Sequence, residues 1–397
     1  MVGTSDASEA ILVSDARQQR IGEIARFLAG PHDVLWEGDT VAIEARISLS
    51  TLLVGLDPGM VDVLGLVREQ SDVGGRPIFL DIETTGLTAG AATLVILVGL
   101  GFVVQDELVV RQYVLHEPAS ERALLTAIAR LLADFSVLVT FNGKRFDVPL
   151  LSGRFNLHRL ADPFPSLHLD LLHPARRIWR RRLRQSNLAT LEARVLGIAR
   201  EGDILGEEVP RRYFAFLRDG DVAGLKPVLD HNRQDIISMA CLAGVIDHYL
   251  RVDHQARPTG PSDLLGLGSL FELVGRMDGA RQCYEAALPG ASPGERAEAL
   301  VRLATLAVKA RDVDRAIQLF DAASRYSTTL ATVAAIEAAK LLEHKVRQPD
   351  QALLYAQRAL ALAGRGYLPI GSGGVEAITR RVARLEQRLM LHRVVGQ

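Results

Sequence analysis

The sequence of 397 residues predicts an α/β domain with a five-stranded mixed sheet, followed by an all-α region. Three apolar runs follow one another closely and two more alternate with helical patterns, which is typical of a mixed sheet with helices on its faces. The runs that predict strands cover residues 78–82, 92–104, 107–116, 137–141 and 166–172. After Asp253 the composition changes and helical periodicity continues to the end of the chain.

The predicted helices of the α/β domain lie between and after these strands. Apolar residues with helical spacing predict a helix over 120–134, and another is expected to begin near Phe146. The pattern over 172–250 is also helical. We therefore assign residues 75–252 to this domain.

Three further segments complete the predicted organisation. Residues 1–74 form an N-terminal extension, with a helix over 15–28 and two short strands within 33–54. Residues 253–262 contain proline and glycine and indicate a linker, and residues 263–397 form the helical region.

Composition limits the class of protein. The formal net charge is -1, so any surface that binds nucleic acid must be local. Two cysteines, Cys241 and Cys283, are too few for a disulfide framework or a cysteine metal site. The polar N-terminus lacks a signal-peptide core, and the apolar run at 91–104 is too short to span a bilayer. We expect a soluble, cytoplasmic protein without a membrane partner.

The helical region contains an internal repeat with a shift of 36 residues. Small and aromatic residues recur at matching places, each set in the second of two helices. The matching sets are Ala280, Tyr284 and Ala287, then Ala316, Phe320 and Ala323, then Ala352, Ala356 and Ala359. The spacing resembles that of tetratricopeptide repeats, although the usual tryptophan and terminal proline are missing. A plain helical bundle is the alternative.

The segment at 79–87, Phe-Leu-Asp-Ile-Glu-Thr-Thr-Gly-Leu, is the most informative part of the chain. On a strand, Asp81 and Glu83 project to the same side while Leu80 and Ile82 face the other. Two adjacent carboxylates repel each other unless a cation compensates, so the pair indicates a cation site. The alternative is a solvated strand end that carries two surface acids.

This segment resembles the first motif of the DEDD family of 3′-to-5′ exonucleases. The stretch Asn142 to Pro149, with Asp147, resembles the second motif, and His231 to Asp235 resembles the third. The resemblance implies a ribonuclease-H-like fold in which Asp81, Glu83, Asp147 and Asp235 hold two divalent metal ions. Because all four are oxygen donors, Mg²⁺ or Mn²⁺ is expected rather than zinc.

From about residue 77 to 250 the chain is similar to the bacterial YprB-like subfamily of ribonuclease-H-like proteins. A tetratricopeptide-like tail also occurs in some members of that subfamily. The supporting segments are 168–174 (His-Leu-Asp-Leu-Leu-His-Pro), 176–179 (Arg-Arg-Ile-Trp), 188–197, Val209-Pro210 with Tyr213, and His231-Asn232.

Two residues near the predicted site have open roles. The family places a tyrosine four residues before the last aspartate or a histidine five before it, whereas His231 stands four before Asp235. On a helix this spacing still shares a face, so His231 either orients the attacking water or makes a structural hydrogen bond. Asp170 is either an additional or supporting metal ligand or the partner of a nearby arginine. Asp203 has the pattern of a turn residue.

The predicted substrate-binding residues are mainly basic. Arginines occupy six of the nine positions from Arg176 to Arg184, with Trp179 among them, which suits phosphate binding and base stacking. The alternative is a solvated helix face whose arginines pair with acids such as Glu192, Glu207 and Glu208. The residues assigned to substrate binding are Thr84, Asn142, Lys144, Arg145, Arg176, Arg177, Trp179 and Arg180.

These observations favour a metal-dependent exonuclease that hydrolyses single-stranded DNA or RNA, with helical repeats that bind a protein partner or more of the substrate. The exonucleolytic mode and the 3′-to-5′ direction are implied by the resemblance alone. A catalytically inactive scaffold that binds nucleic acid and a phosphodiesterase for short oligonucleotides remain alternatives.

Overall fold

The computed structural model describes residues 26–27, 33–37, 40–52, 76–86, 93–200, 202–251, 258, 260–368 and 373–395. The described chain divides into two compact units. The first extends to Ala175 and resumes at Gln185–Arg251, and the second comprises Arg176–Arg184 and the chain beyond residue 251. Nearly all of the predicted helix at 15–28 lies outside the described residues.

The first unit is built on a seven-stranded mixed sheet in the order β1-β2-β5-β4-β3-β6-β7. Strands β1 to β5 pair antiparallel with their neighbours, and β6 and β7 join them in parallel. The strands are β1 (Asp33–Glu37), β2 (Thr40–Ser48), β3 (Pro77–Thr84), β4 (Val95–Val104), β5 (Glu107–Val114), β6 (Val137–Thr140) and β7 (Leu167–Asp170).

The prediction of five strands was therefore wrong, although the mixed sheet is confirmed. The two short strands expected in the N-terminal extension join the same sheet as β1 and β2. Strand β2 pairs with β5 from Ala42↔Tyr113 to Ser48↔Glu107, which satisfies backbone groups that an open edge would expose. Sequence periodicity identified these strands but contains no information on their partners.

The helices of the first unit cover the sheet, and α6 packs against β3, β4 and β5. The core contains Ile78 and Leu80 of β3, Val98 and Leu100 of β4, and residues of α1 and α5. The helices are α1 (Glu121–Leu132), α2 (Asp147–Leu157), α3 (Leu172–Trp179), α4 (Leu188–Leu191), α5 (Glu208–Asp219) and α6 (Lys226–Arg251). The last four residues of α3, 176–179, belong to the second unit. A π-helical turn, Glu192–Leu196, follows α4.

The second unit is helical, and each helix packs against the next. Its helices are α7 (Pro261–Leu273), α8 (Met277–Ala287), α9 (Pro293–Lys309), α10 (Val313–Ser324), α11 (Thr329–Leu341), α12 (Pro349–Gly364) and α13 (Gly374–Val395). The residues of the 36-residue repeat lie in α8, α10 and α12, and all are buried. The alanines at these positions let neighbouring helices approach closely. Within the described residues, no helix has the length and apolar character needed to cross a bilayer.

Candidate active site

The site is built on β3, in the middle of the sheet. Ile78 and Leu80 point into the core, so Asp81 and Glu83 project from the opposite face, as the alternation predicts. Helix α6 covers that face, and both carboxyl groups are largely shielded from solvent.

Two glycines of β4 allow α6 to lie close to the sheet. Gly99 pairs with Asp81, and Gly101 pairs with Phe79. A Cβ on Gly99 would lie 2.2 Å from Asn232 Oδ1, and one on Gly101 would lie 2.4 Å from Ile236 Cγ2. A side chain at Gly99 would displace the Asn232 side chain, and one at Gly101 would press on Ile236, so both glycines are required for this packing.

Asn232 links α6 to the first carboxylate. Its Nδ2 donates to Asp81 Oδ2 at 2.8 Å and to the Asp81 carbonyl oxygen at 3.2 Å. Its Oδ1 accepts from Gln112 Nε2 at 2.9 Å, and Gln112 also donates to the carbonyl of Leu229. Asn232 therefore fixes the orientation of Asp81. Sequence reasoning assigned no role to Asn232 or Gln112, because their partners are more than 100 residues away.

Asp147 begins α2, directly after the turn formed by residues 142–146. Asn142 has a φ of 67°, and a Cβ on Gly143 would lie 2.8 Å from Asp147 Oδ2. The turn therefore passes close beside the carboxylate it presents. Lys144 is exposed in the same turn.

Asp170 holds this turn in place. Its carboxylate accepts from the backbone N–H groups of Asn142 at 2.7 Å, Lys144 at 3.1 Å and Leu172 at 3.1 Å. The side chain is 3% exposed. Of the two roles left open by the sequence, support of the site agrees with these contacts, whereas the described hydrogen bonds include no arginine.

His231 and Asp235 share one face of α6, as the spacing predicts. His231 Nε2 lies 3.8 Å from Glu83 Oε1 and 3.8 Å from Asp235 Oδ2. On the other side of the ring, Nδ1 lies 2.5 Å from Asp203 Oδ1. The imidazole therefore stands between the acidic cluster and Asp203.

Arg200 is a second feature that sequence reasoning missed. Its guanidinium pairs with Asp235 Oδ1 and donates to Glu192 Oε1 at 2.6 Å. It also donates to Asp203 Oδ2 at 3.2 Å. Glu192 had been considered as a partner for the arginines of 176–184, and it pairs with Arg200 instead. The turn pattern around Asp203 gave no signal of its contact with His231.

Burial and charge repulsion raise the pKa of all four predicted metal ligands. Burial, followed by repulsion from Asp235, Asp147 and Glu83, raises the pKa of Asp81 well above its usual range. Burial also raises the pKa of Glu83 and of Asp147 to about 7. Burial raises the pKa of Asp235 despite the opposing effects of Arg200 and His231. Buried acids with such mutual repulsion are stabilised by a bound cation.

The donor chemistry fits a hard divalent cation, since all four groups supply oxygen. In the described part of the chain, however, no three acidic, histidine or cysteine side chains are already arranged to hold a metal ion. Arg200 occupies one oxygen of Asp235, and Asn232 occupies one of Asp81. A bound cation would therefore compete with Arg200 for Asp235 and with Asn232 for Asp81.

The predicted substrate-binding residues of the first unit lie in two turns. Thr84 follows Glu83, and its hydroxyl donates to the carbonyl of Gly86 at 2.7 Å. Lys144 and Arg145 are exposed, and the Arg145 guanidinium lies 5.7 Å from the centre of the Phe146 ring. Phe146 is 47% exposed and directly precedes Asp147. Sequence reasoning had not assigned this aromatic ring to substrate binding.

The arginine-rich segment belongs to the second unit. A Cβ on Gly266 of α7 would lie 2.2 Å from the Ile178 carbonyl oxygen, so this helix packs directly on the segment. Arg176 and Arg180 are exposed. The other arginine contacts are Arg177 to Ser269 at 3.1 Å, Arg181 to Glu298 at 2.5 Å and Arg182 to Asp263 at 2.9 Å.

Trp179 has a different environment from the one expected. Its side chain is 1% exposed and is part of the packed interior. A base can stack only on an accessible ring face. We therefore do not assign Trp179 a stacking role.

Comparison with known proteins identifies the family. The sequence profile of the RNase H superfamily matches residues 78–246. A protein of Bacillus subtilis (strain 168), uncharacterized protein YprB, is 32% identical over 315 residues, which cover 78% of this chain and 74% of that protein. The chain belongs to the RNase H superfamily.

Members of the RNase H superfamily are typically nucleases that use divalent metals, which indicates a nuclease-type function and nucleic acid as the binding partner. The family B DNA polymerase of Pyrobaculum calidifontis matches with 17% identity and a TM-score of 0.37, over 61% of this chain and 30% of the polymerase chain.

Proposed function

We propose that this RNase H superfamily protein is a DEDD-type 3′–5′ exonuclease that hydrolyses single-stranded nucleic acid with two divalent metal ions, Mg²⁺ or Mn²⁺. The observation that carries the proposal is that His231 Nε2 lies 3.8 Å from both Glu83 Oε1 and Asp235 Oδ2, while Asp81 is close enough to Asp235, Asp147 and Glu83 for their charges to raise its pKa. These acids come from three distant segments of the chain, and acids spread over the surface would not lie this close to one another.

In the proposed reaction, the four carboxylates hold the metal ions. The bound ions would supply charge stabilisation at the attacking and leaving oxygens of the phosphodiester. Asn232 keeps Asp81 oriented, and Asp170 keeps the turn before Asp147 in place. His231 accepts a proton from the attacking water at Nε2, the ring nitrogen that faces Glu83 and Asp235.

Substrate binding is assigned to exposed residues beside the acids. Lys144 and Arg145 neutralise backbone phosphates, and the exposed ring of Phe146 offers a stacking face. Thr84 and Asn142, at the ends of β3 and β6, contact the terminal nucleotide. In the second unit, Arg176, Arg177 and Arg180 bind phosphates of the substrate.

The helical unit is proposed to consist of tetratricopeptide-like repeats that bind a protein partner or more of the nucleic acid. The pairs α7–α8, α9–α10 and α11–α12 and the buried small residues of the 36-residue repeat support this assignment. A cytoplasmic location is proposed because two cysteines, Cys241 and Cys283, both buried, are too few for a disulfide framework.

The test is a cleavage assay with Mg²⁺ or Mn²⁺ on end-labelled single- and double-stranded DNA and RNA of several lengths. Wild type is compared with Asp81→Asn, Asp147→Asn and a matched control, Asp106→Asn, which changes an exposed acid of the β4–β5 turn. We expect progressive shortening from the 3′ end that both site variants abolish and the control retains. Activity that survives both site substitutions contradicts the proposal.

The contact between Arg200 and Asp235 favours one alternative function. A guanidinium already neutralises one proposed metal ligand, as expected in a nucleic-acid-binding scaffold without catalysis. This alternative predicts nucleic-acid binding without hydrolysis and without any dependence on Mg²⁺ or Mn²⁺.

A further inference from the structure

We propose that Asp203 is a positioning residue, which holds the His231 ring so that Nδ1 carries the proton and Nε2 presents its lone pair to the acidic cluster. This inference rests on the proposed nuclease function and adds a residue to its proton-handling machinery.

The contact between the two residues is short and specific. Asp203 Oδ1 lies 2.5 Å from His231 Nδ1, on the side of the ring away from Glu83 and Asp235. Because the two ring nitrogens point in opposite directions, a partner at Nδ1 determines what Nε2 offers to the cluster.

Asp203 is itself held by two other groups. Its Oδ1 accepts from the backbone N–H of Ile204 at 3.0 Å, and its Oδ2 accepts from Arg200 Nη1 at 3.2 Å. Ile204 is buried, so this part of the chain is anchored in the core. A carboxylate with fixed neighbours can fix the imidazole in turn.

The direction of the hydrogen bond follows from the charge on Asp203. Contacts with His231 and Arg200 keep the pKa of Asp203 below its usual value despite partial burial, which has the opposite effect. An ionised carboxylate only accepts hydrogen bonds, so Nδ1 must donate. The neutral imidazole then has an unprotonated Nε2, the form that accepts a proton.

One contact favours the opposite tautomer of His231. Arg200 Nη1 lies 3.2 Å from His231 Nδ1, and a hydrogen bond there would require Nδ1 to accept. The same Nη1 has Asp203 Oδ2 at an equal distance of 3.2 Å. The charged Asp203 oxygen is a stronger acceptor for Arg200 than His231 Nδ1 is. At 2.5 Å, Nδ1 and Asp203 Oδ1 need a proton between them, because two lone pairs would repel each other.

The arrangement also explains the position of His231 in the sequence. A histidine four residues before Asp235 lies on the same face of a rigid helix, close to both Glu83 and Asp235. The helix fixes the backbone position of His231, and the contact with Asp203 fixes the orientation of its ring.

The kinetic test is a double-mutant cycle on the full chain with Asp203→Asn, His231→Gln and the combined variant. Asp203→Asn preserves size but replaces the charged acceptor. We expect His231→Gln to lower kcat about 100-fold or more, and Asp203→Asn to lower kcat about 10-fold or more with KM unchanged. In the His231→Gln background, Asp203→Asn is expected to change kcat less than about 2-fold.

The matched control is Asp219→Asn, an exposed acid whose partner is the neighbouring Arg218. It should retain wild-type kcat and KM. Effects of Asp203→Asn and His231→Gln that multiply in the combined variant would overturn the inference, because Asp203 would then act independently of His231.

A spectroscopic test does not depend on nuclease activity. In the protein labelled with ¹⁵N-histidine, the signal of His231 is assigned by its loss in His231→Gln, and its tautomer is read at alkaline pH. We expect the Nδ1–H tautomer in wild type and a larger share of Nε2–H in Asp203→Asn. The Nε2–H tautomer in wild type would overturn the inference. Absence of any hydrolysis with the expected tautomer would instead contradict the proposed function.

Discussion

Asn232 occupies the space directly over Gly99, where a Cβ would lie only 2.2 Å from Asn232 Oδ1. Because Gly99 pairs with Asp81 across the sheet, this glycine sets how closely α6 approaches the first carboxylate. The geometry of the site therefore depends on the distance between α6 and the sheet.

Gly99→Ala should displace the Asn232 side chain and break its contact with Asp81. Overpacking of this kind costs about 1–3 kcal/mol in the free energy of unfolding, and we expect nuclease activity to be lost with it. Denaturant unfolding and the cleavage assay measure the two effects.

Gly153→Ala is the control, because Gly153 lies in α2 with no neighbour within 4 Å. It should stabilise the protein by up to about 1 kcal/mol. Equal stability of Gly99→Ala and wild type would contradict the close packing.

The stability of the metal-free protein should fall as the pH rises from about 4 to about 7. The pKa values of Glu83 and Asp147 rise from 4.5 and 3.8 to about 7 on folding, so the folded protein binds these protons more tightly than the unfolded chain. His231, whose pKa is also raised, loses stabilisation in the same direction. Melting temperatures in EDTA across this pH range test the trend, and Asp147→Asn should reduce it.

Added Mn²⁺ should restore the stability that the metal-free protein loses above neutral pH. A ligand that binds only the folded state stabilises it by about 2.7 kcal/mol at a concentration of 100 times its Kd. The melting temperature of wild type should therefore rise with Mn²⁺, whereas that of Asp81→Asn should rise less. An identical melting temperature with EDTA and with Mn²⁺ would count against the cation site.

Asp170→Ala should destabilise the turn that presents Asp147. Three backbone N–H groups would lose their shared acceptor, which we expect to cost about 2–4 kcal/mol, with lower cleavage activity. Asp162→Ala is the control, because this exposed acid accepts from Ser152 and Phe164 away from the turn. Its cost should stay below about 1 kcal/mol. Equal losses from the two variants would show that Asp170 has no special role.

Arg180 and Trp179 should respond differently to substitution. Arg180 is exposed, so Arg180→Ala should leave the melting temperature unchanged and reduce the salt dependence of single-strand binding by about 0.7 in the slope of log K against log salt. Trp179→Ala should destabilise the second unit by about 3–5 kcal/mol, because the ring is buried. Titrations of a fluorescent oligonucleotide at several salt concentrations provide the comparison. An unchanged slope for Arg180→Ala would exclude a phosphate contact there.

Local patterns predicted much of the fold. The five strands expected between residues 78 and 172 are all present, within a few residues of the predicted ends. The alternation along β3 correctly predicted the shared direction of Asp81 and Glu83, because strand geometry depends on neighbouring residues alone. The arginine-rich segment shows the opposite case, since its assignment to the second unit depends on packing against α7.

The sequence by itself identified Asp81, Glu83, Asp147 and Asp235 as the candidate carboxylates. It also predicted the main strands and the helical character of the C-terminal region. Each of these predictions depends on residue type and short-range periodicity. Only the tertiary structure decided that β1 and β2 extend the sheet to seven strands and that Trp179 is buried. It also revealed the contacts of Asn232 with Asp81 and of Asp203 with His231. These contacts join residues 151 and 28 positions apart, and no local pattern specifies which distant side chains the folded chain brings together.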